Sequence, residues 1–575
     1  MKKYVLIIYF FVGSVSLFSQ SLSKVQLDSL FNDFIKYKNA GITNISAVKQ
    51  EPVKCGFVIA HSIKTHFNSF SYEQQQILKP LIIQPVMQTS IVSPSGFFRI
   101  HYDTTGINKP NYEKDSDTSL HLSDQVLFTM YLDSVAIAAD SAYNFEVNYL
   151  GYPPPPPDDT AGGDNKYDIY LLNLGGSYYG ETQFDGNGGP CYMMVNSNFT
   201  GFPTLGIYAV RVTIAHEFHH GIQIGNYIYR DADAWFYELT STSMEHFVYP
   251  SIPDYVNYMF AYFDNPQRSI ARNNTISRGL DGFDLAIWNF YMQKKFNYDI
   301  IKRQWQLMPQ MRAIEAINQS ITEKGASFSQ ILNEFGVWVY FTNSRAKQGK
   351  YFDQAATYPS ISFPISNSFQ FPPYTSVNSF NYPVSNNFFN ISIQLSSGTD
   401  NLVPVITNSD YEAAVANTES TFNFQYLLYN YYVPGTDTLG GKYFSKLANS
   451  GSPWLNSEIL NDTWLGYKVV INPNADTVNP NADFAYPSPF KYSEEVLNIP
   501  VDQNPSGEYN LKVYSIGMKL VYSSTVSLPK QDKGKPVIAW DGKDNNNRKL
   551  SSGVYVYAVK SGNNVKKGKI VIFNE

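Results

Sequence analysis

The chain has little of the side chains that most often carry chemistry: 2 cysteines, 8 histidines and a charged fraction of 16% in 575 residues. Its 43 Lys and Arg against 49 Asp and Glu give a net charge of -6 with no concentrated basic face, which argues against nucleic acid and anionic membranes as partners. Beyond the N-terminus no stretch supplies the roughly 18 unbroken apolar residues that a membrane-spanning helix needs, so the mature chain is expected to have no transmembrane segment. The opening "MKKYVLIIYFFVGSVSLFSQ" places Lys2 and Lys3 before a short apolar run that ends in small residues. It reads as a signal peptide over residues 1–19, cut between Ser19 and Gln20, and implies export.

What is present is aromatic: 44 Tyr and 39 Phe within a 43% hydrophobic composition. Large cores with surfaces kept polar by Asn, Ser and Tyr suit an extracellular, strand-rich chain of three or four domains. Residues 20–90 form an N-terminal region with a helical start at "LDSLFNDFIKYK" and the character of a pro-segment. "SGFFRIHYDTTG" is strand-like, and "SDQVLFTMYLDSVAIAADSAYNFEVNYLG" repeats apolar residues at helical spacing. Pro153 to Pro157 predict an exposed, extended spacer, because proline removes backbone donors. "KYDIYLLNL" and "PCYMMVNSNF" read as strands, followed by helices in "AWFYELTSTSMEHFV", "GFDLAIWNFYMQKKF" and "ASFSQILNEFGVWVYFTNSR". From residue 349 to 480 short runs such as "NFFNISIQL" and "STFNFQYLLYNYYV" predict a middle β-sandwich.

Three of the scarce histidines fall together in "RVTIAHEFHHGIQIG". Residues four apart on a helix lie one above the other, so His216 and His220 can present two imidazoles to one ion. Glu217 projects beside them, placed to take a proton from a water that the ion activates, and the pattern H-E-x-x-H predicts zinc-assisted hydrolysis. A catalytic zinc needs a third protein ligand. Gln223 and Asn226 occupy the Gly and His positions of the longer H-E-x-x-H-x-x-G-x-x-H pattern, so a third histidine is excluded there. "WFYELTSTSMEH" instead offers Glu238, with Glu245 seven residues on, two turns along the same face. His219 faces partly away and reads as a packing or supporting residue, as do His101 and His246.

The two cysteines admit two readings. In an exported protein the simpler one is a disulfide between Cys55 and Cys191, which would staple the N-terminal region beside the histidine helix. The other makes Cys55, in "PVKCGF", a thiolate that caps the metal in a latent precursor, thiolate being a strong zinc ligand.

"HEFHH" followed by "WFYELTSTSME" resembles the gluzincin metallopeptidases, and residues 50 to 345 are similar to a group of secreted bacterial metalloproteases. The resemblance implies a catalytic domain over residues 91–348, a mixed sheet above a mainly helical lower part. It makes His216, His220 and Glu238 the zinc ligands, Glu217 the general base, and Glu245 an acceptor that orients a ligand. Gluzincins commonly stabilise the oxyanion with a Tyr or His from a later helix. Asp281 stands where that tyrosine is expected, leaving Arg278 or Tyr291 as substitutes.

At the C-terminus "AYPSPFKYSEEVLNIPV", "YNLKVYSIGMKLVYS" and "IAWDGKDNNNRKLSSGVYVYAVKSGNNVKKGKIVIF" alternate like seven strands. With Trp540, Asp541, Gly542 and Gly553 they resemble the hook-cap Ig domain and the Ig-like sorting domains of type IX secretion, over residues 483–575. The expected protein is a multidomain α+β chain, the catalytic domain followed by two β-sandwich domains. Its expected function is a secreted or cell-surface zinc metalloendopeptidase acting on protein or peptide, with the secretion machinery as partner. The alternative is a surface adhesion or glycan-binding protein whose metal site is structural or inactive.

Overall fold

The computed structural model describes residues 22–39, 54–79, 82–112, 123–157, 160–175, 178–184, 188–271 and 282–363, and with further gaps most of 365–461 and 485–574. The signal segment, Arg278 and Asp281 lie outside the described residues. The chain divides into two compact units, Met1–Met259 with Arg272–Ala316, and Phe260–Ala271 with Ile317–Glu575.

The first unit opens with α1 (Lys24–Asn39), α2 (Phe57–Thr65) and α3 (Tyr72–Leu78). Leu27, Leu30, Phe34, Ala60, Ile63 and Leu78 from these helices, with Phe70 from the connection before α3, form a small core of their own. Ser71 starts α3 with a capping box shared with Gln74, which satisfies two of the helix's orphan donors.

A mixed sheet follows, built from β1 (Thr89–Val92), β2 (Phe98–Tyr102), β3 (Tyr167–Leu172), β4 (Gly180–Phe184) and β5 (Cys191–Asn196) in the order β1-β2-β3-β5-β4. β2, β3 and β5 run parallel, and β1 and β4 close the two sides antiparallel. β4 has no alternation of apolar and polar residues to announce it; "GETQF" is buried at every position.

α4 (Asp124–Tyr143), capped by Ser123, continues into a π turn over Asn144–Tyr149. α5 (Gly206–Asn226) packs on β4, β5 and α4, and α6 (Ala234–Val248) packs on α5. Every residue of α5 from Val212 to Ile224 is buried, so this stretch of the helix runs through the core with no solvent face. The proline run is extended and mostly exposed, as expected, but it is also anchored to the end of α5. Pro155 is buried, Asn226 Nδ2 donates to the carbonyls of Pro153 at 2.9 Å and Pro154 at 3.1 Å, and a Cβ on Gly225 would meet Pro156 Cδ at 2.4 Å. A chain without N–H donors can lie against the end of a buried helix because its carbonyls alone need partners.

In the second unit the division falls well before residue 349, because the helix Phe328–Tyr340 packs on the following strands. Asn333 Nδ2 donates to Val405 O at 3.1 Å and Thr407 Oγ1 at 2.9 Å, and Asn386 Nδ2 donates to Leu332 O at 2.9 Å. The strands β6 (Ile365–Phe369), β7 (Tyr374–Asn381), β8 (Ser385–Leu395), β9 (Gly398–Asn408), β10 (Phe422–Tyr431), β11 (Lys442–Leu447) and β12 (Leu455–Asn461) form two sheets, β12-β9-β8-β6 and β11-β10-β7.

The C-terminal region has eight described strands rather than seven. They are β13 (Phe490–Lys491), β14 (Leu497–Pro500), β15 (Tyr509–Ser515), β16 (Leu520–Val526), β17 (Lys530–Asp532), β18 (Lys535–Trp540), β19 (Gly553–Ser561) and β20 (Asn564–Phe573). Their sheets, β13-β20-β19-β15-β16 and β14-β18-β17, enclose Phe490, Leu511, Val513, Trp540, Tyr557 and Ile572.

Candidate metal centre

One turn of α5 brings His216 and His220 together, and their Nε2 atoms lie 3.1 Å apart. α6 crosses so that Glu238 Oε2 sits 3.1 Å from the first Nε2 and 3.4 Å from the second. The outer ring nitrogens are already committed. His216 Nδ1 lies 2.8 Å from Glu245 Oε1, and His220 Nδ1 lies 2.8 Å from Gln223 Oε1 and 3.1 Å from Ser241 Oγ.

Gln223 Nε2 donates to Tyr237 O, which fixes the amide orientation and leaves its oxygen to accept. His220 therefore donates from Nδ1 and carries its lone pair on Nε2. A neutral His216 donating to the Glu245 carboxylate does the same. Two lone pairs and a carboxylate oxygen then converge in a buried space, an arrangement that repels itself unless a cation sits among them. A fourth donor completes the set: one ligand atom each of Cys55, His216, His220 and Glu238 lies within 4.8 Å of the others, and all four residues are buried. Sulfur, two imidazoles and a carboxylate match the ligand preferences of zinc.

The charges fit a cation at this site. Glu217, Glu238, Glu245 and Asp254 are buried around the cluster, against one buried ammonium, Lys54. Lys54 Nζ lies 2.7 Å from Glu245 Oε2 and also bonds Asp254. Burial lowers the Lys54 pKa, but Asp254 and Glu245 outweigh it and hold the ammonium charged. The same carboxylates that would favour an ion also favour a proton: burial disfavours a charged His216, yet its bonds to Glu238 and Glu245 push it up to about 10. Burial opposes ionisation of Glu238, and the imidazoles of His220 and His216 bring it down to about 2.

Glu217 lies beside the cluster. Thr182 Oγ1 on β4 donates to its Oε2 at 2.8 Å, and burial raises its carboxyl above the usual range despite the neighbouring imidazoles. Two glycines allow the close approaches this requires. A Cβ on Gly180 would meet Thr213 Cγ2 at 2.6 Å and Glu217 Cγ at 3.0 Å, so β4 reaches α5 only with glycine there. Gly282, at φ +110°, would put a Cβ 2.2 Å from Trp235 O and 2.9 Å from Glu238 Cβ. The chain after it sets Phe283 5.9 Å from the His216 ring.

Cys55 and Cys191 do not pair. Cys55 bridges Gly180 at one end of β4, while Cys191 faces Phe184 at the other. Four residues at about 3.3 Å each separate the two positions, roughly twice the span a disulfide closes. Cys191 Sγ instead lies 3.7 Å from Tyr167 Oη and 3.8 Å from Gly221 O.

His219 points away from the cluster, its Nδ1 2.8 Å from Glu146 Oε2 on the π turn, between Tyr152 and Trp305. Burial pushes His219 well below and Glu146 well above their usual values, so this pair is neutral. His101 Nε2 lies 2.8 Å from Asp168 Oδ1, and His246 packs with Tyr255 and Phe290. Tyr291 is fully buried in the helix Ala286–Phe296 beside Trp288.

Lys54, Thr182, Gln223 and Asp254 were not singled out from the sequence for this site. Gln223 had a signal, since it lies three residues after His220 on the same helical face. The other three come from distant segments and had none.

Among the described residues no helix is long and apolar enough to cross a membrane. Comparison with curated proteins finds no match. Two solved structures from Porphyromonas gingivalis are similar in part. PorZ, described as an essential bacterial surface component of the type-IX secretion system, is 10% identical over 33% of this chain and 39% of its own, with a TM-score of 0.14. Dimeric latent PorU is 14% identical over 35% of this chain and 20% of its own, with the same TM-score of 0.14. Residues 497–564, within the eight-stranded C-terminal region, match the FlgD Ig-like domain family model.

Proposed function

We propose that this chain is an exported zinc metalloendopeptidase of gluzincin type, with a C-terminal Ig-like domain that addresses it to the type IX secretion route. The observation that carries the reading is the convergence of His216 Nε2, His220 Nε2 and Glu238 Oε2 with both Nδ1 atoms tied back by acceptors. These three side chains would hold the ion.

When bound, zinc supplies Lewis acidity that acidifies water and polarises a peptide carbonyl. Glu217, raised above the usual carboxylate range and steadied by Thr182, takes the proton of the attacking water and returns it to the leaving amine. Glu245 fixes the ring of His216, and Gln223 and Ser241 fix that of His220.

The test joins metal analysis to cleavage of unfolded casein. The full-length protein is expected to bind one zinc per chain and to cleave once its N-terminal segment is released. Glu217→Gln is expected to keep the zinc and lose at least about a hundredfold in rate. Near-normal cleavage by that variant overturns the mechanism. Stoichiometric zinc with no cleavage after release favours the adhesion or glycan-binding reading.

A further inference from the structure

We propose that Lys54–Phe57 is an internal plug, with Cys55 as the fourth metal ligand, that holds the site latent and occupies the groove where a substrate peptide would lie. This inference rests on the peptidase reading above and adds its regulation and the character of its substrate.

Three separate contacts place the plug. The first is the cluster itself, in which Cys55 Sγ completes a four-donor set with His216, His220 and Glu238. A zinc site with four protein ligands is closed, whereas a catalytic one keeps a position open. Glu217 and Cys55 lie close enough for each to shift the other's ionisation, so one side chain reaches both the open ligand position and the neighbourhood of the general base. The N–H of Phe57, the first residue of α2, donates to Sγ at 3.2 Å and orients the sulfur at the cluster. Binding as thiolate releases the sulfhydryl proton to Glu217 or to solvent, with no redox change.

The second contact is main-chain. β4 is the last strand of its sheet, and Lys54–Gly56 lies along its open edge: Gly56 N donates to Gly180 O at 3.0 Å and Tyr179 N donates to Lys54 O at 3.1 Å. Pairing with an open edge is a general way to bind an extended peptide, and this edge runs beside the base and ligands.

The third is a side-chain pocket. Phe57 stacks on His220 with ring centroids 4.1 Å apart and planes 10° apart, and meets Phe184 at 5.7 Å and Tyr229 at 5.6 Å. His61 stacks on Phe184 one turn later. Phe57 thus fills an aromatic pocket next to the metal ligands, which fits a substrate with a large apolar or aromatic residue beside the scissile bond.

The plug belongs to a piece with its own core, the α1–α3 cluster, so it can leave as a unit. After α3 the chain is accessible, with Ile83 58% and Val86 96% exposed. As long as the piece stays attached, the thiolate competes at an effective concentration on the order of millimolar, ahead of most substrates.

The experiment uses the full chain loaded with Co2+ in place of Zn2+, comparing the natural protein with Cys55→Ala and with Cys55→Ser, which keeps the size. Expected in the natural protein is a thiolate-to-cobalt charge-transfer band that both variants lose while retaining the d–d bands of bound cobalt. Cys55 is expected to resist iodoacetamide until a chelator removes the metal, after which an S–C bond forms and iodide leaves. With zinc, the variants are expected to cleave unfolded casein about a hundredfold faster, as a 99:1 closed population implies, mainly beside Phe, Tyr or Leu.

Bound cobalt without the thiolate band, together with equal cleavage by natural protein and variants, overturns the plug and leaves the peptidase standing. The band with no cleavage by either variant, even after the chain is cut in the accessible segment beyond α3, overturns latency and makes the four-ligand site structural. Failure of all three proteins to bind metal overturns the peptidase reading itself.

Discussion

The candidate metal centre and the C-terminal domain have opposite interiors. Around α5 and α6 the buried set includes His216, Glu217, His219, His220, Glu238 and Glu245, joined by Lys54, Glu146 and Asp254 from elsewhere in the chain. In the C-terminal region, among the described residues of 485–574, every buried side chain is apolar or aromatic, from Ala485 to Ile572. Burying an ion without a partner costs several kcal/mol or more, so the first interior needs each charge paired or suppressed. The second needs only alternation, seen in the in-out burial of β15 over "YNLKVYS". One interior is built from charged and polar side chains that need partners, and the other from apolar packing alone.

Crossed substitutions should separate the two interiors most sharply. Glu238→Ala removes one of the three proposed ligands from α6 and is expected to abolish stoichiometric zinc binding while leaving the unfolding of the C-terminal domain unchanged. Trp540→Ala, by emptying a core site whose indole N–H also bonds Lys543 O at 3.0 Å, is expected to destabilise that domain by about 3–5 kcal/mol with zinc content intact. Metal analysis and denaturation of both variants check this, and any crossover between the two effects breaks the comparison.

A smaller effect is expected at Glu245, which touches His216 but stands outside the donor set. Glu245→Ala should weaken zinc binding by roughly 10- to 100-fold in a competitive chelator titration. A loss as complete as that of Glu238→Ala would move the ligand assignment to Glu245.

The smallest effect lies on the sheet, away from the cluster. Arg99 grips Asp164 with Nε at 3.2 Å and Nη2 at 2.6 Å, and with help from Lys166 holds its carboxyl well below the usual range. A depressed carboxyl stabilises the fold above its unfolded pKa, near 4, and loses that contribution as pH falls toward the folded value. Arg99→Gln should therefore cost up to about 1 kcal/mol at neutral pH, because the pair is partly solvated, and progressively less in strong acid. A difference between natural protein and variant that grows on acidification would contradict this assignment.

The sequence by itself determined the elements whose chemistry is local. His216, Glu217 and His220 fall within one turn of a helix, and Glu238 and Glu245 within two turns of another, so period 3.6 alone was enough to set each group on one face. The C-terminal alternation was legible for the same reason. What the tertiary structure decided is everything that depends on distant segments meeting. β4 carries no pattern because both of its faces are buried, yet it supplies Thr182 and the edge that Lys54–Gly56 covers. Cys55 comes to His216 across more than a hundred residues of chain, and compartment chemistry alone favoured a disulfide with Cys191. The register of β4 places the two thiols at opposite ends of one strand, and that pairing exists only once the sheet has formed.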